Sequence, residues 1–231
     1  MKHDVVYIVR EGGNEELRYS LRSVAKNFPH ERVWLFGGKP SGIEPFCFEP
    51  RRQEGPDKFW RVYGTLKDIC EDARLTEDIW LFNDDFFVMK KLANPPHAIY
   101  HGTLQGRIDE IEKVTFGVHS YYSDKLREVL SVLQQAGIKE PLNYETHTPT
   151  LINRAMMLAT MAKFPDTPMF RSLYGNINHI GGEDRPDCKF FQERQPYPIR
   201  DYVSTADESW QFDKIGEEIR ERFPEKSEFE E

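Results

Sequence analysis

The sequence predicts an α/β fold, a mostly parallel mixed sheet flanked by helices, with a less regular C-terminal half. Two observations predict it. DVVYIV (4–9), NEELRYSLRSVAKNF (14–28) and RVWLFGG (32–38) form a strand, a helix and a strand within about thirty-five residues, which is a βαβ unit. A second helical pattern, KFWRVYGTLKDICEDARL (58–75), runs into another apolar strand at 78–82.

Each element has a local reason. DVVYIV is a β-branched apolar run closed by the turn signal REGGN, as a strand buried on both faces would be. In the first helix Leu17, Leu21, Val24 and Ala25 share one stripe, Asn14 is a candidate N-cap, and Glu15 and Glu16 favour the helix start. Residues 39–56 are rich in Pro, Gly and charge and read as a loop, with a short strand at 45–48. Trp60 reads as core. In the second half, AIYHG (98–102), KVTFG (113–117) and CKFFQ (188–192) read as strands. SDKLREVLSVLQQAG (123–137) is a capped amphipathic helix stopped by Gly137. NYETHTPTLINRAMMLATMAKF (143–164) reads as an extended piece to Pro149 and then a helix. SWQFDKIGEEIRERF (209–223) reads as one helix, and the acidic PEKSEFEE is expected to fray.

The chain has 231 residues, 39% hydrophobic and 13% aromatic, which suits one folded domain over 1–231. Its net charge of -8 argues against a protein that coats nucleic acid non-specifically, but leaves room for a local basic pocket. Cys47, Cys70 and Cys188 are odd in number and far apart, which argues against a disulfide framework or zinc knuckle. The apolar run Val5 to Val9 is too short for a signal peptide or membrane span, and no other stretch approaches one. The expectation is a soluble, cytoplasmic protein.

The chemistry concentrates in WLFNDDFFVM (80–89), which sets Asn83, Asp84 and Asp85 at the carboxyl end of a strand, where open α/β sheets bind ligands. If the extended path continues, Asn83 and Asp85 share a face and Asp84 points the other way. Two like charges roughly 4 Å apart repel by about 4 kcal/mol at an effective dielectric near 20, so a cation or basic partner is expected nearby. Mg²⁺ and Mn²⁺ prefer carboxylate and phosphate oxygens. The bland alternative is a turn, since Asn-Asp is a good turn dipeptide.

Taken together, DVVYIV…NEELRYSLRSV (4–24), DKFWRVYGTLKDICEDARLTEDIWLFNDDFFVMKK (57–91), HTP (147–149) and RSLYGN (171–176) resemble the Stealth-type sugar-phosphate transferases and related small phage and bacterial glycosyltransferases of GT-A-like fold. That family's first block usually reads Val-Val-Tyr-Thr-Trp-Val-Asp. Here VVYIVREGG lacks the Trp and the Asp, which favours a compact glycosyltransferase over a strict Stealth enzyme. The resemblance implies a nucleotide-sugar-binding half at 1–91 and an acceptor-side half at 92–231. It implies a nucleotide-sugar donor, UDP-linked by preference, and a divalent metal, Mn²⁺ or Mg²⁺. Asn83 takes the place of the first Asp of the Asp-x-Asp motif and contacts the donor, while Asp85 binds the ion. Asp84 is left for a structural or acceptor-side catalytic role.

Further candidates follow. Arg10, after the first strand, and Arg18 with Arg22, four apart on the first helix, would reach phosphate, or else be solvated charges paired with Glu15 and Glu16. Asn14 and Lys58 are donor-side candidates, Lys58 at a helix N-terminus suited to phosphate. His147 in THTP is a candidate general base, a metal ligand or a structural His. Arg171 would balance donor charge. His179 and Asp184 lie in NHIGGEDRPD, a Gly-rich loop expected to close over the donor, with His179 a third metal ligand. His3, His30, His97, His101 and His119 show no pattern and read as surface or structural.

The expected function is metal-dependent transfer of a sugar from a nucleotide diphosphate sugar to an acceptor hydroxyl. A modified nucleobase in DNA, a virion protein and a glycan are the candidate acceptors, in a host cytoplasm if the protein is phage-encoded. The alternatives are Stealth-type sugar-phosphate transfer, which releases a nucleoside monophosphate, and a non-catalytic nucleotide-sugar-binding module.

Overall fold

The computed structural model describes residues 2–44, 47–116, 120–191 and 200–231. A five-stranded sheet runs in the order β3-β2-β1-β4-β7. It comprises β1 (Asp4–Val9), β2 (Val33–Gly37), β3 (Cys47–Pro50), β4 (Asp78–Phe82) and β7 (Thr150–Asn153). β1 pairs parallel with both β2 and β4, β2 parallel with β3, and β4 antiparallel with β7. This is the expected mostly parallel mixed sheet. The strand expected at 45–48 is β3, and residues 45–46 of it lie outside the described residues.

Strand alternation divides the core between the two faces. Val5, Tyr7 and Val9 pack with Leu17, Leu21 and Val24 of α1 (Glu15–Asn27). Val6 faces the other way, with Leu66 and Ile69 of α2 (Lys58–Glu71), Met157 and Met161 of α5 (Arg154–Lys163) and Phe170 and Tyr174 of α6 (Phe170–Ile177). Trp60 packs partly buried against this second core. Burying each such large apolar side chain contributes about 2 kcal/mol before chain entropy is counted. Gly37 ends β2 at φ +119, and a Cβ there would sit 2.1 Å from the carbonyl oxygen of Val9, so only glycine fits this close approach.

A second, three-stranded sheet, β5-β10-β9, joins β5 (Phe86–Val88), β9 (Lys189–Phe190) and β10 (Tyr202–Thr205). β6 (Ile99–Tyr100) pairs parallel with β8 (Glu183–Asp184), and α3 (Leu104–Val114) packs on α4 (Tyr121–Gln135) beside α6. AIYHG and CKFFQ therefore hold the short strands β6 and β9, with residue 192 of the latter outside the described residues.

Several expectations are corrected. KVTFG is not a strand. Its first residues end α3, because Leu104, Ile108 and Ile111 form a helical stripe behind the N-cap Thr103. Gly117 and His119 lie outside the described residues. Between Pro149 and the predicted helix the chain first makes β7, whose Thr150 and Ile152 turn inward against β4. The helix expected over 209–223 is two, α7 (Asp207–Phe212) and α8 (Lys214–Arg222), broken by the extended Asp213. The tail does not fray. Phe229 is buried among the α1-side core, and Arg22 donates two hydrogen bonds of 2.8 Å to the Glu230 carboxylate. The acidic composition suggested solvation, but a buried arginine needed a carboxylate.

Candidate functional site

β1 has β2 on one side and β4 on the other, so the chain changes direction across the sheet between β1 and β4. Ligands of open α/β sheets bind in the crevice off the carboxyl ends of such a pair. Arg10 follows β1 and Asn83 follows β4, and both line a cleft of about 710 Å³.

Asn83-Asp84-Asp85 does not continue the strand. The Phe86 N–H donates to the Asn83 carbonyl at 3.2 Å, closing a β-turn with the two acids in its centre. Strand alternation therefore does not apply, and the expected working pair of Asn83 and Asp85 is corrected. Asn83 and Asp84 line the cleft. Asp85 accepts instead from Lys189 Nζ at 2.5 Å and Ser204 Oγ at 2.8 Å on the second sheet. Asn14 is the N-cap of α1 through its oxygen and donates its amide to Asp84 Oδ2 at 2.5 Å. Its role is to hold Asp84. Burial, reinforced by the Asp85 charge, raises the Asp84 pKa.

Four cations line the cleft, Arg10, Lys58, Arg107 and Arg171, against two carboxylates, Asp84 and Glu145. Arg171 is buried and orders the floor. It donates to the Thr148 carbonyl at 3.1 Å, to Thr150 Oγ1 at 2.9 Å and to Asn83 Oδ1 at 3.3 Å. Burial pulls its pKa down, opposed by the charges of Glu145, Asp85 and Asp187. Arg10 is half exposed and lies 3.8 Å from Glu16 and 3.9 Å from Asp84. Lys58 lines the cleft from the first turn of α2, but the N-terminal amides of that helix are not free for phosphate. Asp57 caps them, accepting from Phe59 at 2.8 Å and Trp60 at 3.1 Å.

His147 also lines the cleft. Its Nδ1 lies 2.7 Å from Asp187 Oδ2, and Asp187 Oδ1 accepts the backbone N–H groups of His147 and Cys188 at 2.9 and 2.8 Å. Burial alone would raise the Asp187 pKa, but the His147 hydrogen bond and charge outweigh it and hold the carboxyl down at about 2. Glu145 is raised by burial and accepts the Ser172 N–H at 2.8 Å.

Four expected site residues lie elsewhere, the first being Arg22, which is held by Glu230 of the docked tail. Arg18 reaches the Ser41 carbonyl and lies 3.6 Å from Glu230, because the docked tail claims that face of α1. His179 is exposed just past α6. The loop holding it is pinned away from the cleft: Tyr144 Oη donates to the Gly181 carbonyl at 2.8 Å, and His97 Nε2 lies 2.9 Å from the Ile180 carbonyl. Asp184 accepts the Gly102 N–H on that same side. Asp85 and His179 thus do not form a metal-ligand set, and the described residues gather no three His, Cys, Asp or Glu side chains around one point. A divalent ion in this cleft would be held by Asp84, the carboxylate of the motif that lines it, with phosphate oxygens and water as remaining ligands.

Sequence reasoning missed Arg107, Tyr122, Glu145 and Asp187. Arg107 and Tyr122 come from helices outside the recognised segments. Glu145 stands two residues before His147 and was a readable signal. Asp187 is forty residues away from its partner, and no local pattern joins the two.

No protein-family model matches the sequence, and no curated protein matches it. Solved structures do share the fold. The galactosyltransferase LgtC, in complex with donor and acceptor sugar analogs, superposes with a TM-score of 0.51 at 13% identity, over 97% of this chain and 96% of that one. An active-site mutant of LgtC gives 0.51 at 11% identity, over 97% and 98%. At these identities the likeness establishes the α/β fold of GT-A glycosyltransferases.

Proposed function

We propose that this protein is a glycosyltransferase that moves a sugar from a nucleotide diphosphate sugar, UDP-linked by preference, to an acceptor hydroxyl. One observation carries the reading. A chain of net charge -8 gathers four cationic side chains around one cleft at the carboxyl edge of its parallel sheet, beside the switch point. That placement suits a diphosphate, and the fold is one on which LgtC holds donor and acceptor sugar analogs.

The acceptor oxygen forms a bond to the anomeric carbon while the bond from that carbon to phosphate oxygen breaks, leaving the electron pair on the nucleoside diphosphate. Arg171, Arg10 and Lys58, which line the cleft, stabilise the charge that develops there. A divalent ion held through Asp84 would neutralise part of the same charge. His147 takes the acceptor proton. The apolar wall of Phe59, Tyr122 and Phe170 leaves one side of the cleft for the sugar face and the acceptor. Sugar-phosphate transfer of the Stealth kind is the second reading, favoured by the NDD, HTP and RSLYGN segments. It uses the same donor but cleaves within the diphosphate.

The test is a thermal-shift screen of UDP-, GDP-, ADP- and CDP-sugars with and without Mn²⁺. A donor at one hundred times its Kd stabilises by about 2.7 kcal/mol, several degrees in Tm. Product analysis then separates the readings, with nucleoside diphosphate for glycosyl transfer and monophosphate for sugar-phosphate transfer. No shift with any nucleotide sugar defeats both.

A further inference from the structure

The contacts behind His147 are more specific than a structural histidine requires. Asp187 meets the imidazole through one oxygen, while its other oxygen takes the amides of His147 and Cys188. Cys188 Sγ donates back to the His147 carbonyl at 2.9 Å, and Arg200 donates to the Asp187 carbonyl. Asp187 and Cys188 are thus clamped to the His147 backbone at both its N–H and its carbonyl. An ionised carboxylate only accepts, so the imidazole nitrogen facing it carries the proton. The Asp187 carboxyl stays ionised down to about pH 2. Nε2, the other nitrogen, makes no hydrogen bond to any described residue, and the side chain is about one-third exposed on the cleft.

We infer that Asp187 is the positioning residue of an Asp187–His147 dyad, fixing the Nδ1–H tautomer so that Nε2 faces the cleft as the base that accepts the acceptor's proton. The inference rests on the proposed glycosyl transfer for the identity of the acceptor, and on the geometry alone for the tautomer. In the balanced step the proton moves from the acceptor hydroxyl to Nε2, the acceptor oxygen bonds to the anomeric carbon, and the donor's carbon–oxygen bond releases its electrons to the diphosphate. The resulting imidazolium is held against the Asp187 carboxylate. The other charged and titratable groups around the dyad are Glu145 and Arg171 from the cleft floor, Tyr122 from α4, and Arg200 and Cys188 from the clamp. Glu145 and Arg171 are of opposite sign. Among the described residues Asp187 is the one carboxylate hydrogen-bonded to the ring.

The experiment has two arms. Long-range ¹H–¹⁵N correlation spectroscopy of the wild-type protein at pH 8 reports the tautomer without substrate or variant. The expected result is Nδ1–H, and an Nε2–H tautomer overturns the inference. The second arm measures Asp187→Asn against wild type in the slow hydrolysis of UDP-glucose and UDP-galactose, with water as acceptor. Expected are a kcat loss of about 100-fold or more with a donor KM within twofold, because an amide no longer fixes the tautomer or holds the imidazolium. Wild-type kcat in Asp187→Asn overturns the inference while leaving glycosyl transfer intact. A wild-type protein that shows the Nδ1–H tautomer yet neither binds nor turns over any nucleotide sugar defeats the proposed function and leaves the tautomer assignment standing. If Asp187→Asn does not fold, the tautomer of the wild-type protein decides the inference by itself, Nδ1–H supporting it and Nε2–H overturning it.

Discussion

Asp84 and Asp85 are neighbours in the chain but not partners in the structure. Asp84 Oδ2 accepts the Asn14 amide at the cleft, while Asp85 Oδ2 lies 2.5 Å from Lys189 Nζ, held as well by Ser204. A lysine on the second sheet offsets the charge of Asp85, whose repulsion still helps to raise the Asp84 pKa.

The two acids therefore fail differently when replaced. Asp85→Ala leaves Lys189, a largely buried ammonium, without its carboxylate and costs about 3 kcal/mol of stability. Asp84→Asn keeps an acceptor for the Asn14 amide and removes a charge that burial disfavours, so it does not lower Tm, and it removes donor-dependent stabilisation. Urea melts of both variants, with and without the best donor, check the contrast. An Asp85→Ala protein as stable as wild type would contradict it.

Arg171 joins three partners on two segments, Thr148 and Thr150 on one and Asn83 on the other, through its two terminal nitrogens. Arg171→Lys keeps the charge and loses the fork. Misplacement of Asn83 and the donor phosphates is expected to lower kcat/KM by about 100-fold, with a smaller change in Tm. Steady-state kinetics beside calorimetry read the two effects separately.

Glu16 is buried beneath Arg10 and accepts from Thr205. Burial first, then the charges of Asp85 and Asp84, pushes its pKa up to about 7. Its folded pKa is above its ordinary value, so its contribution to stability is fully present below about pH 4.5 and is lost as pH rises through about 7. Glu16→Gln should match wild type near pH 4 and exceed it at pH 8 by up to about 3 kcal/mol. A Tm-against-pH series on both proteins shows the divergence or its absence.

The docked tail is expected to matter to stability and not to the cleft. Phe229→Ala opens a cavity in the α1-side core and costs about 3–5 kcal/mol, while donor Kd stays within twofold. Chemical denaturation and donor titration of the same preparation decide it. A large rise in Kd would couple the tail to the site.

Much of the parallel half was legible because its signals are local. The β-branched run at 4–9, the Asn14 cap and the apolar stripe of the first helix each act within a few residues. The cleft residues legible from sequence, Arg10, Lys58, Asn83, Asp84, His147 and Arg171, stand at ends of elements or in recognised segments. The apolar stripe and Gly137 also placed α4, although its cap is Ser120 and the expected helix began at Ser123. What failed depended on partners far along the chain. KVTFG has strand-like composition, but Ile111 needed α4 to pack against. PEKSEFEE looks solvated until Arg22 is placed beneath it.

The sequence by itself determined the βαβ frame and the carboxyl-edge location of the NDD motif, because hydrophobic period and turn chemistry act at short range. Tertiary structure decided which acid of that motif meets the cleft, where the positive charge collects, and that Asp187 stands behind His147. Those are relations between residues forty to more than a hundred positions apart, and they are settled by which sheets and helices the buried apolar faces bring together.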